Sequence, residues 1–574
     1  MNSNSTDNNF LNISIVEERA DYLDENEIKN NTMSAGTFFM RIHTSLIEKG
    51  TVLLEGPRGC GKTHLMRYSW LHCKENNDSP LGIYVSFNKY FRLEPLLRSK
   101  PNAIILFNTW CLAKILISSY DIASEIEDDD NLDLSSILLA TKESLNDLVN
   151  RLEQGLAPSN NQEELVEKIS VSSVTNSIHT LTEWLERKRA IIFLDDAAIT
   201  LTPEYLHEFF DIVRTLKTNK IALKASVYPG TTEYGPKFHV AHEANIVSAW
   251  ISTDSENYAE IMESIATLRF NEYNLIPSDI RELLKFAAFG IPRSFLMMLR
   301  EYHDDSSKNK QQIFNRIIEK YANVRMSEYR SLKDKMPRLE AIINIGELLL
   351  DKILDAIKQS NSLIASKNEK QVIVGIEKIG SSLSNRMINL LVEVGMLYKL
   401  QPVSHGEDRS YDRYIPHYAL LIKEKVFNES SQGFSPTQII DYINRKNSKH
   451  PVRRSLKSLI GDDAISNIRL TLPPCTKCET LRLSDNQKFC HQCGSKLVDE
   501  SSFNRCMSFE LSTIPQLTAW QSKKIKELEN IKTVGDILSI QDPGTELRKL
   551  NRVGLKRADN IIQRVMFHVD EYLS

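Results

Sequence analysis

Gly56-Pro57-Arg58-Gly59-Cys60-Gly61-Lys62-Thr63 sets three glycines, a lysine and a hydroxyl in one short run. Such glycines let successive backbone N–H groups curl round an anion, while the lysine reaches its outer oxygens and the threonine ligates a divalent cation. The run follows the apolar Val52-Leu53-Leu54 and leads into His64-Leu65-Met66-Arg67, a helix-forming stretch. A phosphate held there also meets the positive end of a helix. The chemistry implied is binding of a nucleoside triphosphate with Mg²⁺ by the segment Gly56 to His64, against the plainer alternative of a glycine-rich turn. Asp195 and Asp196 supply the other half, ending the apolar run Ala190-Ile191-Ile192-Phe193-Leu194. A buried strand closed by two acids suits phosphoryl transfer: Asp195 joins Thr63 around Mg²⁺, and Asp196 orients or deprotonates the attacking water. An acidic turn after an ordinary strand is the alternative, and the glycine run weighs against it.

Cys475-Thr476-Lys477-Cys478 and Cys490-His491-Gln492-Cys493 stand eleven residues apart. Two such pairs set four thiolates around one Zn²⁺ at about 2.3 Å each, and Gly494 permits the tight turn after the second pair. An iron–sulfur centre or redox pairs are the alternatives. His491 reads as a bystander inside the turn. Four ligands leave no open coordination position, so the site is expected to be structural. The other cysteines are scattered, which fits a reducing, cytoplasmic setting.

The elements that must position these groups follow from pattern. With 574 residues the chain has room for roughly four domains. Strands are expected at Leu81–Phe87, Ile221–Val227 and about Asn245–Ile251, alternating with helices, which means a parallel sheet between helical layers. A helical insertion at 101–185 interrupts that alternation. The expected divisions are a polar lead-in at 1–30, a nucleotide-binding domain at 31–270 and a helical lid at 271–335. After these come a module at 336–427, a basic linker at 428–470, a metal ribbon at 471–500 and an all-helical tail at 505–574. Net charge is −4, so no global field draws the chain to nucleic acid and any such binding rests on local patches. No run reads as long and apolar enough to cross a bilayer, and Met1–Asn9 lacks a basic-then-apolar leader.

Within the expected lid, Phe289-Gly290-Ile291-Pro292-Arg293 places a helix-start proline before an arginine. Further on, Ser384–Gly395 reads as an amphipathic helix carrying Asn385 and Arg386, followed by two strands around the polar tip Ser404–Arg409. That layout is a winged helix, with DNA and protein equally open as its target. Arg445–Lys457 holds no acidic residue; a solvated linker and a phosphate-backbone patch are both open. Leu550–Ile562 resembles the second half of a helix-hairpin-helix, with Arg548, Lys549, Arg552, Lys556 and Arg557 crowding the turn. Arg552 stands where that motif usually has its first glycine. Leu528–Leu538 resembles the matching helical unit in the C-terminal domain that RNA polymerase carries on its α-subunit. Backbone contact to DNA is the leading reading, and a structural helical cap is the alternative.

On these residues the chain resembles AAA+ ATPases of the origin-recognition and initiator type, in their bacterial form, from about Ser34 to Phe427. The stretch Tyr228–Gly235 adds to the likeness. The resemblance implies an α/β P-loop NTPase (AAA+) fold with a helical lid, followed here by the winged helix, zinc ribbon and small all-α helix-hairpin-helix. It implies ATP bound between sheet and lid, Arg293 sensing the γ-phosphate, and Ser226 near the family's polar sensor. It further implies homo-oligomers in which a neighbour's arginine, for which Arg214 is a candidate, completes the site. Asp196 departs from the Glu of many active ATPases, and its shorter arm leaves room for slow turnover. The expected function is an ATP-dependent switch engaging nucleic acid. The rival is a signal-transducing NTPase of a defence or regulatory system, triggered by a protein and acting on a separate effector chain.

Overall fold

The computed structural model describes residues 20–573 apart from 21–22, 33–35, 88–92, 94–95, 97–99, 197–201, 306–308, 365–369, 407–408, 428–435, 445–450, 485–486, 496, 498–501, 529–530 and 541–542. Most of the polar lead-in, Glu407 and Asp408 of the polar tip, and Arg445–His450 of the basic stretch therefore lie outside the described residues.

Five parallel strands carry the first half of the chain. They are β1 (Val52–Glu55), β2 (Leu81–Ser86), β3 (Ala190–Asp195), β4 (Ile221–Val227) and β5 (Asn245–Ser248), in the order β2-β3-β4-β1-β5. Every residue of β3 and β4 is buried, as a sheet covered on both faces requires. The period of two sorts the side chains between two layers. Leu54, Ile191, Phe193 and Ala222 pack with Phe39, Ile42 and Met66 on one face. Leu53, Ile192, Leu194 and Leu223 pack with Trp110, Phe209 and Val213 on the other. All five strands run the same way, so the glycine run after β1, the acids ending β3 and Ser226 near the end of β4 share one sheet edge.

The insertion is helical as expected, with helices Ala103–Glu127, Lys142–Glu153, Asn160–Lys168 and Val171–Trp184. One expectation is corrected here. By length and composition the helix Ala103–Glu127 is apolar enough to cross a membrane, and 67 % of that apolar window is buried within the protein. Its Trp110, Leu112, Leu116 and Ala123 belong to the core that backs the sheet.

A second core joins the helices Tyr258–Arg269, Ser278–Ala287, Pro292–Asp304 and Lys310–Lys335 to the elements after them in the chain. Tyr258–Arg269 was expected with the sheet, yet its Ile261, Met262 and Ala266 pack into this lid core. Beyond it lie the helix Glu340–Ser362, β6 (Val374–Glu377), the helix Ser382–Glu393, and the antiparallel pair β7 (Leu397–Ser404) and β8 (Ser410–Pro416). The segment expected as a linker, 428–470, is folded where described. β9 (Val452–Arg454) adds to β6 in parallel and completes the sheet β7-β8-β6-β9. The helices Pro436–Asn444 and Leu456–Ser466 flank it. Ile439, Ile443, Val452, Leu456 and Leu459 are buried in the lid core, a small apolar set that the basic residues around it outweigh in the sequence.

The tail folds into short helices, Ser502–Ser508, Ala519–Ile525, Val534–Ser539 and Pro543–Arg548, ending in the long Leu555–Leu573. Tyr572 Oη donates to the Asp334 carbonyl at 2.9 Å, tying the tail to the lid helix Lys310–Lys335.

Candidate functional site

The glycine run leaves β1 through Gly56, Gly59 and Gly61, at φ 157°, 82° and 98°. Gly61 enters the helix Lys62–Glu75 from the left-handed region, which a side chain would strain. At Gly59 the constraint is also space, since a Cβ would meet Arg293 Cβ at 3.1 Å and Ile291 Cγ2 at 3.2 Å. The Arg293 N–H donates to the Gly59 carbonyl at 3.4 Å, so the helix Pro292–Asp304 starts directly on the loop. Gly290, at φ 74°, makes that approach: a Cβ there would overlap the Ile251 carbonyl.

Lys62 is bent back on its own loop, donating to the carbonyls of Gly56 at 2.6 Å and Pro57 at 3.4 Å. Its ammonium lies 3.9 Å from the centre of the Tyr228 ring, a cation–π contact. Burial works against its charge, but Tyr228, Cys60, Asp195 and Asp196 outweigh it and raise its pKa.

Asp195 is 1 % exposed and fully engaged. Its carboxylate accepts from Tyr84 Oη at 2.8 Å and from the Asp196 N–H at 3.0 Å. The same N–H lies 3.0 Å from Ser226 Oγ. Asp196 has φ 54°, a left-handed turn that carries its side chain off the strand end. Thus β3 and β4 bring the two acids and Ser226 together.

A cavity of about 490 Å³ opens between the sheet edge and the lid, a volume suited to a small-molecule ligand. Pro57, Arg58, Gly59, Cys60, Gly61, Lys62, Thr63 and His64 line it, with Asp196 and Arg293. Gly56 and Asp195 are not on its wall. His64 Nε2 lies 2.6 Å from Thr32 Oγ1, and burial, then Arg269 and Arg67, push its pKa down to about 3. Arg214 is elsewhere, paired with Asp211 at 2.8 Å. The sequence reading gave no site role to several polar and aromatic wall residues, among them Tyr228, Arg269, Arg325 and Glu328. They arrive from three elements, the loop after β4, the helix Tyr258–Arg269 and the helix Lys310–Lys335, which lie far apart in the sequence.

Sequence reading also missed how the helix Ser382–Glu393 is used. Glu393 is buried and accepts from the N–H groups of Gly230 at 2.9 Å and Thr231 at 2.7 Å, and from Thr231 Oγ1 at 3.0 Å. Arg386 donates to the Gly230 carbonyl at 3.2 Å and pairs at 2.5 Å with Glu233, which also holds Arg338 at 2.6 Å. The helix passes so close that a Cβ on Gly230 would lie 2.7 Å from the backbone of Leu390. Its face therefore lies on the loop after β4.

The four cysteines converge, their sulfurs all within 4.8 Å of one another. Cys475 and Cys493, and Cys478 and Cys490, are each 3.5 Å apart. The two turns repeat each other: the Glu479 N–H donates to the Cys475 carbonyl at 2.8 Å, and that of Gly494 to the Cys490 carbonyl at 2.9 Å. Both residues are left-handed, at φ 56° and 69°. A soft, all-thiolate donor set this compact fits a tetrahedral metal. His491 is outside it, 3.3 Å from Gln487 Nε2.

In the tail Arg552, Lys556 and Arg557 are exposed around one turn, and Ala558 is buried. Arg552 has φ 67°, so the backbone keeps a glycine-like conformation without the glycine. Arg557 donates to the Arg552 carbonyl at 2.7 Å and lies 5.0 Å from the Trp520 ring centre. Lys549 pairs with Glu546 at 2.6 Å, and Arg548 donates to Thr545 Oγ1 at 2.5 Å.

Among known proteins, the family described as ORC-CDC6-like matches residues 17–373. Among solved structures, the Walker-type ATPase PABY2304 of Pyrococcus abyssi aligns at 16 % identity and a TM-score of 0.37, covering 72 % of this chain and 97 % of its own. No curated protein matches the chain.

Proposed function

The chain belongs to the ORC-CDC6-like family and is an ATPase, and on that premise we propose that it is a nucleotide-driven switch engaging nucleic acid through its C-terminal domains. The single observation carrying this reading is the continuity from cavity to module. The glycine loop touches Arg293, and the helix Ser382–Glu393 grips the loop after β4, the strand that holds Ser226. A change of lid angle or of the Ser226 end is passed on to that helix.

In this reading Lys62 swings from its loop carbonyls to neutralise the outer phosphates, and Arg293 reports the γ-phosphate from the lid. Thr63 and Asp195 are the hard oxygen donors that would hold Mg²⁺, which supplies charge neutralisation on the phosphates. Asp196 positions the water, and Ser226 fixes the Asp196 backbone. The four cysteines take Zn²⁺ as a structural ion. The helix Ser382–Glu393 with β7 and β8 is read as a winged helix, residues 471–500 as a zinc ribbon and 505–574 as a helix-hairpin-helix. The exposed Arg552, Lys556 and Arg557 support DNA-backbone contact at that last turn.

One observation favours the second reading, a protein-triggered NTPase with a separate effector. Arg386, which would meet DNA from a winged helix, is spent on Glu233 inside the chain. The deciding experiment is ATP turnover by zinc-replete protein with and without duplex DNA, beside Lys62→Ala. DNA-stimulated turnover that the variant loses supports the nucleic-acid switch; turnover indifferent to DNA supports the protein-triggered one. Salt-dependent DNA binding that survives Arg552, Lys556 and Arg557 all changed to Glu would remove the tail from the DNA interface.

A further inference from the structure

Arg269 ends the helix Tyr258–Arg269 and lines the cavity between lid and glycine loop. An arginine in the last turn of a helix ordinarily lies over the terminal carbonyls in solvent. Here its Nε is buried with no hydrogen-bond partner, and among the described residues no carboxylate pairs with it. Two other cations of the wall have partners of their own. Arg325 has Glu328 and Ser294 Oγ, each at 2.6 Å, and Lys62 has its loop carbonyls.

Arg269 has like charge instead. Burial and then the Arg293 guanidinium push its pKa below the usual arginine range. His64 lines the same cavity, and burial, then Arg269 and Arg67, hold its imidazole neutral. Two guanidinium groups sharing a desolvated space repel, and burying one without an acceptor is costly. The fold tolerates this where an anion belongs between them, as functional sites break local rules that the rest of a structure keeps.

We infer that Arg269 is a nucleotide-binding residue, gripping the phosphate chain from the first lid helix. It shares the cavity wall with His64, next to Thr63 on the loop side, and with Arg293 on a later lid helix. With it, two lid helices hold one ligand, and loss of a phosphate loosens both. This inference rests on the nucleotide reading above.

The test titrates ATP and ADP, with Mg²⁺, into full-length wild type, Arg269→Gln and Arg269→Lys, and melts each protein without nucleotide. Arg269→Gln is expected to weaken both nucleotides by about tenfold or more, the loss of a charge-assisted contact. Arg269→Lys keeps part of the affinity. The nucleotide-free Tm of the glutamine variant stays level or rises, because a repulsion has gone. Unchanged affinity overturns the inference. So does an affinity loss accompanied by a lower nucleotide-free Tm, which marks a structural arginine. Wild type that binds neither nucleotide removes the nucleotide reading itself, a result visible before any variant is compared.

Discussion

Lys62 and Asp196 share one wall of the cavity but differ in what their loss takes away. In the proposed mechanism Lys62 stabilises bound phosphate by charge, so Lys62→Ala is expected to weaken ATP binding by about a hundredfold in a direct titration. In that mechanism Asp196 acts on the water. Asp196→Asn keeps the left-handed turn, since Asn tolerates it, and keeps the N–H contacts to Asp195 and Ser226. ATP affinity then stays within about threefold while turnover drops about a hundredfold or more, the usual share of a general base. Parallel losses of affinity and turnover would instead make Asp196 a ligand-holding residue. These residues were legible because their chemistry occupies unbroken runs, Gly56 to His64 and Asp195 to Asp196. Arg269, Arg325 and Tyr228 were not, because only the packing of the lid and of the loop after β4 decides which side chains reach the cavity.

At the scale of elements, the helix Thr37–Ile47 depends on a lysine in the middle of the sheet. Lys224 on β4 is fully buried, and its ammonium donates to the carbonyls of Ser45 at 2.9 Å, Glu48 at 2.8 Å and Gly50 at 2.9 Å. Arg189 takes the Ile47 carbonyl at 2.6 Å. Helix-end carbonyls have no partner within the helix, so Lys224→Met orphans three acceptors and is expected to lower stability by about 2–4 kcal/mol in urea unfolding. The segment Cys475–Cys493 is the opposite kind of element: Leu481, Leu483 and Phe489 are exposed, and the four cysteines converge. Cys490→Ser is expected to lose bound zinc, measured by elemental analysis, and to raise hydrogen exchange across 475–497. ATP affinity is expected to stay at the wild-type level, because no ribbon residue lines the cavity. The knuckles were readable from spacing alone. The edge strand β9 and its flanking helices were not, because Val452 and Leu456 stand among basic residues that mimic a solvated linker.

For the whole molecule the decisive contact is between the helix Ser382–Glu393 and the loop after β4. One carboxylate, Glu393, satisfies three donors there, and burial pushes its pKa up while those hydrogen bonds from Thr231 and Gly230 oppose the shift. Removing a shared acceptor strands every donor it served. Glu393→Ala is therefore expected to release the helix as a unit, raising hydrogen exchange at 228–235 and 382–396 together and leaving β3 protected. Release also exposes Arg386, whose partner Glu233 sits on the freed loop. If the helix reads DNA, the variant binds duplex more tightly than wild type, because the wild-type protein must first break this contact. If it does not, exchange rises and DNA affinity stays unchanged, which assigns the helix to relaying the state of the cavity. Exchange that stays at wild-type levels in 382–396 would mean that Arg386 and the close approach at Gly230 hold the helix without Glu393, and the relay would then have to run through Glu233.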